Sequence, residues 1–187
     1  MSIEGGRHPG WGTANRIVPL GESYLELVAV VDEDEAARSE FGRWVAAVDA
    51  ESRSRPFGWA VRTSDLDQVA HRLRLPIEGG SRVTPEGNVL TWRAAALQGR
   101  AFEPSLPFFI EWAAGSVFPG RAAVTHPIGA VEIAGLELRG RVDRLAQWLG
   151  RHDLPISMCD GPPSVERVVL KAPGTEIVVG ADHTPAD

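Results

Sequence analysis

Apolar residues along this chain come in two rhythms. Runs of five to eight residues, rich in β-branched and aromatic side chains and bounded by Gly, Pro or Asn, read as strands. They cover residues 14–20, 24–31, 58–63, 89–94, 107–113, 131–138, 165–171 and 176–180. Three segments follow helical spacing instead. Residues 34–50 put Phe41, Trp44, Val45 and Val48 on one stripe, and 65–74 do the same with Leu66, Val69, Ala70 and Leu73. Residues 141–151 align Val142, Leu145, Ala146 and Leu149. Ser64 and Asp67 have capping-box spacing at the start of the second helix. Strands and helices mixed in this order predict an α+β fold rather than a long alternating parallel sheet.

The pattern repeats. Ile3-Glu4-Gly5-Gly6 opens the chain, and Ile77-Glu78-Gly79-Gly80 recurs in its middle. Each is followed by a turn, an apolar strand, and a second apolar strand with one glutamate at its centre, Glu26 and Glu111. A diverged copy starts at residues 155–160. The second and third copies are preceded by a strand and a helix, which gives βαβββ units of about 50 residues, within the range of repeat architectures. The chain divides accordingly into a partial first module at 1–54 that lacks its leading strand and helix, a second at 55–128, a third at 129–181, and a tail at 182–187. The partial module predicts an open sheet edge near residues 14–31 or a homodimer that covers it.

Composition narrows the function. Lys+Arg 19 against Asp+Glu 25 gives a net charge of −6, with Lys171 the only lysine. That is a poor electrostatic footprint for nucleic acid. A single cysteine, Cys159, excludes an internal disulfide framework and a thiolate metal cluster. No apolar leader opens the chain and no run reaches membrane-spanning length, so the expectation is a cytoplasmic protein with a small-molecule ligand and no membrane partner.

The stretch from Gly6 to Asn15, Gly-Arg-His-Pro-Gly-Trp-Gly-Thr-Ala-Asn, is followed by Leu20-Gly21 and by Tyr24-Leu25-Glu26-Leu27. Together with Pro107-Phe108-Phe109-Ile110-Glu111-Trp112, His126-Pro127 and Gly129-Ala130, it resembles the glyoxalase-like domain branch of the vicinal oxygen chelate superfamily. The resemblance implies repeated βαβββ modules forming a cupped mixed sheet. It also implies a divalent metal in the cup, acting as a Lewis acid on substrate oxygens. Superfamily members include lyases, isomerases, epimerases, dioxygenases and antibiotic-sequestering proteins that do no chemistry.

Glu26 and Glu111 match the last-strand ligand positions of that pattern and are the candidate catalytic and metal-binding carboxylates. Each lies among large apolar residues, where a charge needs a partner, a metal or a wet cavity. His8 and His126 are the nitrogen donors that could complete the set, His8 being the candidate ligand. The leading strand of the middle module offers Trp59 or Val61 where many members place histidine or glutamine, so the metal-ligand set is incomplete. Arg7, His8, Thr13 and Asn15 form a candidate ligand-binding cluster, with a planar guanidinium fork and a donor–acceptor amide. Trp59 and Trp112 are candidate pocket aromatics. His71 and His152 read as surface residues and His183 as part of the tail. Two functions follow: a metal-assisted lyase, isomerase or oxygenase on an oxygen-rich small molecule, or a metal-free binding or sequestering protein.

Overall fold

In a computed structural model the described residues are 1–52, 55–84, 87, 89–97 and 103–180. The expected tail at 182–187, with His183, lies outside them, as do Pro85 and Glu86 of the middle-module turn.

Three sheets each gather strands that are consecutive in sequence. The first is an antiparallel meander of β1 (Ile3–His8), β2 (Thr13–Pro19) and β3 (Tyr24–Val30). Two linking helices follow, α1 (Glu33–Arg38) and α2 (Glu40–Ser52). The periodicity predicts one helix here, but Ser39 breaks it. Its backbone is extended (φ −108°, ψ 148°), and its hydroxyl accepts the Gly42 N–H at 2.8 Å to start the second helix.

The second sheet contains β4 (Ala60–Arg62), β5 (Ile77–Val83), β6 (Val89–Ala95) and β7 (Phe108–Trp112), with α3 (Leu66–Leu73) between β4 and β5. The spatial order is β4-β7-β6-β5, so the last strand of the unit lies parallel beside the first. The N-cap of α3 is Asp65, whose carboxylate accepts the Gln68 N–H at 3.0 Å, in place of the Ser64 cap that the spacing predicts.

The third unit has β8 (Glu132–Arg139), α4 (Val142–Leu149), β9 (Ile156–Cys159), β10 (Ser164–Ala172) and β11 (Thr175–Gly180). Its element order is again βαβββ, but its spatial order is β9-β8-β10-β11. Here β9 pairs directly and in parallel with β8, which becomes an inner strand. The third unit therefore repeats the sequence of elements without repeating the sheet.

The glycine-rich motifs are themselves strands: β1, β5 and, in diverged form, β9 hold the same place in each unit. Glycine is required in two of them because another side chain lies flat on the backbone. A Cβ on Gly5 would stand 1.9 Å from Asn15 Oδ1, and one on Gly80 would stand 2.5 Å from the Trp92 ring.

Packing fixes which face of each sheet is free. Ala95 and Phe109 face α3, where they bury Leu66 and Ala70. The back of the first sheet, through Val18, Leu20 and Leu25, packs on Val168, Leu170, Ile133 and Leu136 of the third. Leu106, Leu138, Leu145 and Val165 form a further core beneath α4, and Trp148 and Leu149 join it to the α3 core. Arg72 fastens the two helices by donating to the carbonyls of Gln147 (2.8 Å) and Trp148 (2.7 Å). The first and second sheets meet along β1 and β5, where Arg82 donates to the Gly5 carbonyl. Beyond β3, no strand among the described residues covers the outer edge of the first sheet.

Candidate functional site

Strand alternation decides which side chains meet across this seam. In β2 and β3 the pairs Thr13–Val30, Asn15–Val28, Ile17–Glu26 and Pro19–Tyr24 share one face. His8 pairs with Thr13 and joins that face. In the second sheet Arg82, Gly80, Leu90, Trp92, Ala94, Ile110 and Trp112 share the face opposite α3. The two faces line a cup.

On its first-sheet wall lies a connected polar cluster. His8 is buried, and its Nδ1 shares a 2.8 Å hydrogen bond with the Thr13 hydroxyl, which is 1% exposed. With that hydroxyl as donor, the imidazole keeps its proton on Nε2, 3.6 Å from Glu26 Oε1. Asn15 donates from Nδ2 to the same carboxylate oxygen at 2.6 Å. Trp11 and Phe41 press on the imidazole, with centroids at 5.6 and 6.2 Å. Burial holds the His8 pKa below the ordinary histidine value; Glu26 opposes this and Arg82 adds to it. The phenol of Tyr24 is pushed well above its usual range, first by burial and then by Glu26, with Arg82 pulling the other way. Glu26 and Arg82 therefore act on the same two groups from opposite walls.

The second wall is aromatic. Trp92 and Trp112 pack at 5.5 Å, Trp112 lies 6.4 Å from Phe118, and Phe118 lies 5.5 Å from Tyr24. Phe118 arrives on the segment after β7, whose single 3-10 turn (Pro119–Arg121) crosses to the β2–β3 hairpin. The Gly21 N–H donates to the Gly120 carbonyl at 2.8 Å. Glu22 takes Arg121 at 2.6 Å and Arg62 at 3.1 Å, and the Arg62 guanidinium sits 4.3 Å above the Phe118 ring. This strap closes one side of the cup.

The expected site residues separate. His8, Thr13, Asn15 and Glu26 come together, with Trp112 on the facing wall. Arg7 alternates to the other face of β1 and is exposed. Trp59 turns into the core of the third unit, its indole N–H donating to the Ser105 carbonyl at 3.3 Å. Val61 packs toward α3, so the cup position on β4 belongs to Arg62, in register with Ile110. Glu111 shares its face with Phe109, beneath α3, and does not meet Glu26. It accepts the Leu66 N–H and an Arg93 N–H, both at 3.0 Å. His126 is engaged through both ring nitrogens, donating from Nε2 to the Pro19 carbonyl at 2.7 Å and accepting at Nδ1 from the N-terminal amine at 2.8 Å.

This donor set does not fit a divalent metal. Among the described residues no three His, Cys, Asp or Glu side chains converge. Glu26 already takes the Asn15 amide, and Glu111 is committed to the start of α3.

Sequence reading missed Arg82, Tyr24 and Phe118. Arg82 was legible from β5 alternation once Gly80 is placed opposite Trp92, and Tyr24 from sharing the Glu26 face. Phe118 had no signal, because the strap is irregular.

A family model described as glyoxalase-like domain matches residues 2–152. Among solved structures, the crystal structure of a hypothetical protein from Staphylococcus aureus is similar in fold, with a TM-score of 0.71 at 16% identity. The match covers 93% of this chain and 83% of that one. No curated protein matches this chain. No helix among the described residues is long and apolar enough to cross a membrane.

Proposed function

The chain belongs to the glyoxalase-like domain family, and on that premise we propose that it binds a small organic molecule in the cup between its first two sheets without a resident metal. One observation carries this reading. A polar cluster, the buried His8, Thr13 and Asn15 gathered on the half-exposed Glu26, faces a guanidinium and an aromatic wall across a seam. A protein that only needed a stable core gains little from polar groups set this deep, because each must be held in place by another. Family membership does not choose between binding and catalysis.

The test is thermal stability and tryptophan fluorescence of chelator-treated protein against a panel of small aromatic acids, alcohols and carbonyl compounds. A compound that raises the midpoint and alters the emission in the metal-free protein supports the reading. Stabilisation that appears only after a divalent metal is restored would sink it, as would none by any compound.

A second reading, proton transfer within the bound molecule, is favoured by the His8 Nε2–Glu26 contact at 3.6 Å. A neutral imidazole beside a carboxylate is a pair that can take and return one proton. Its expected sign is ligand turnover that His8→Gln and Glu26→Gln both abolish while binding remains.

A further inference from the structure

Three buried polar side chains stand behind one oxygen of Glu26 and leave its other oxygen free. His8 and Asn15 are each 7% exposed and Thr13 is 1% exposed, whereas solvent reaches 33% of the Glu26 side chain. Asn15 Nδ2 donates to Oε1 at 2.6 Å, and His8 Nε2 lies 3.6 Å from the same atom. Behind the imidazole, the Thr13 hydroxyl holds Nδ1 at 2.8 Å. The Asn15 amide cannot turn over, because its oxygen lies against the Gly5 backbone and, turned round, would meet the carboxylate. Among the described residues no donor reaches Glu26 Oε2. Buried groups therefore fix the direction of this carboxylate through one oxygen, while the other keeps its lone pairs on a side chain open to the cup.

Resting on the cup as the binding site, we infer that its ligand is a neutral hydroxyl compound with a flat apolar body, whose O–H donates to Glu26 Oε2. A carboxylate only accepts, so the group that meets it must donate. An anionic ligand is repelled by Glu26. A cationic one meets Arg82, whose charge already bears on His8 and Tyr24, and Arg62, which lies 4.3 Å above the Phe118 ring. The half-buried rings of Trp92, Trp112 and Phe118 take the apolar body, where stacked and edge contacts favour a flat shape. His8, Thr13 and Asn15 are positioning residues that act through Glu26 and do not touch the ligand.

The experiment uses the full chain after chelator treatment, with p-cresol as the probe. Its counterparts are p-methylanisole, which lacks the O–H, p-tolualdehyde, which only accepts, benzylamine as a cation and p-toluate as an anion. Affinities come from fluorescence titration, and the contact from the side-chain carboxyl 13C resonances of labelled glutamate, with Glu26 assigned through Glu26→Gln. The expected result is that p-cresol moves the Glu26 resonance and binds about tenfold more tightly than each counterpart, the scale of one hydrogen bond to an ionised acceptor. In Glu26→Gln the Asn15 N–H keeps the new amide oxygen, so the amide nitrogen replaces Oε2 and p-tolualdehyde overtakes p-cresol. Asn15→Ala weakens p-cresol binding while the preference over p-methylanisole persists, because the contact atom remains and only its direction is lost. Equal binding of p-methylanisole and p-cresol by the parent protein would overturn the inference, and so would a folded Glu26→Gln protein with the parent's order of affinities. If the Glu26 resonance stays still while compounds of the wider panel stabilise the protein, the ligand class is wrong and the cup remains. If nothing in either set binds, both fall.

Discussion

Replacing Glu111 by alanine separates a fold-holding carboxylate from a ligand-binding one. In the structure its Oε2 accepts the backbone N–H of Leu66, the fully buried first residue of α3, at 3.0 Å. That N–H is one of the unsatisfied donors at a helix start. A hydrogen bond to an ionised acceptor contributes about 1.5–3 kcal/mol, and loss of a helix cap about 1. The same oxygen also holds Arg93, but that guanidinium is 43% exposed and keeps two bonds to Asp67, so its share is under about 1 kcal/mol. The first two figures describe the same bond, so the loss is about 2 kcal/mol, which for a domain of this length lowers the melting midpoint by roughly 4–8 °C. Urea unfolding at neutral pH measures it, with an unchanged m-value as the sign that only stability has moved. Glu111→Gln keeps an acceptor for Leu66 and recovers about half of the loss. A Glu111→Ala protein within 0.5 kcal/mol of the parent, roughly the level of a neutral surface change, would refute the reasoning. Lost ligand binding at full stability would return Glu111 to the site.

Acidification tests His8. Its folded pKa lies below the unfolded value, so its contribution is complete above the ordinary histidine pKa of 6.5 and is lost as pH falls below it toward the folded value. Across that window stability drops by up to about 1.4 kcal/mol per pH unit for the one proton, and melting curves at pH 7.5, 6.5 and 5.5 should show a shallower fall in His8→Gln. A Cβ on Gly120 would stand 2.3 Å from the Ser23 carbonyl oxygen, so Gly120→Ala displaces the strap. Faster tryptic cleavage after Arg121 is the readout, with circular dichroism unchanged. Gly12 has φ +68° and approaches Ala36 N within 2.2 Å of where a Cβ would be, so Gly12→Ala costs about 2–4 kcal/mol in chemical denaturation. Leu138→Ala, at 1% exposure between Leu145 and Val165, costs about 2.5–5 kcal/mol by the same measure.

The strands that alternation and β-branching could reveal were legible, and so was the α+β class. The strands that escaped were β1, β5 and β9. The first two owe their glycines to tertiary contacts, an amide lying on Gly5 and an indole lying on Gly80, and these contacts run against local strand propensity. The repeat marked the right places without revealing their conformation. At the site, Glu26, Thr13 and Asn15 share a face that follows from counting along the regular β2 and β3, whereas His8, on the unrecognised β1, was marked only by the family resemblance. Glu111 illustrates the limit. Counting places it with Phe109, but nothing in the chain says that the Phe109 face is the one that α3 covers. The different order of the third sheet was hidden for a similar reason: the same string of elements permits β9 to bypass β8 or to pair with it.

The packing of the first sheet on the third also constrains how this chain comes to be folded. Val18, Leu20 and Leu25 come off the ribosome early, yet the residues that cover them, Val168 and Leu170, are made almost last. Until β8 and then β10 emerge, the back of the first sheet has nothing to pack on. Contacts this distant in sequence make folding slow and leave apolar strand surface open in the meantime. Solubility during synthesis therefore rests on the C-terminal unit, and a chain stopped after the strap at Arg121 should aggregate even though the cup-lining residues of both walls are already present.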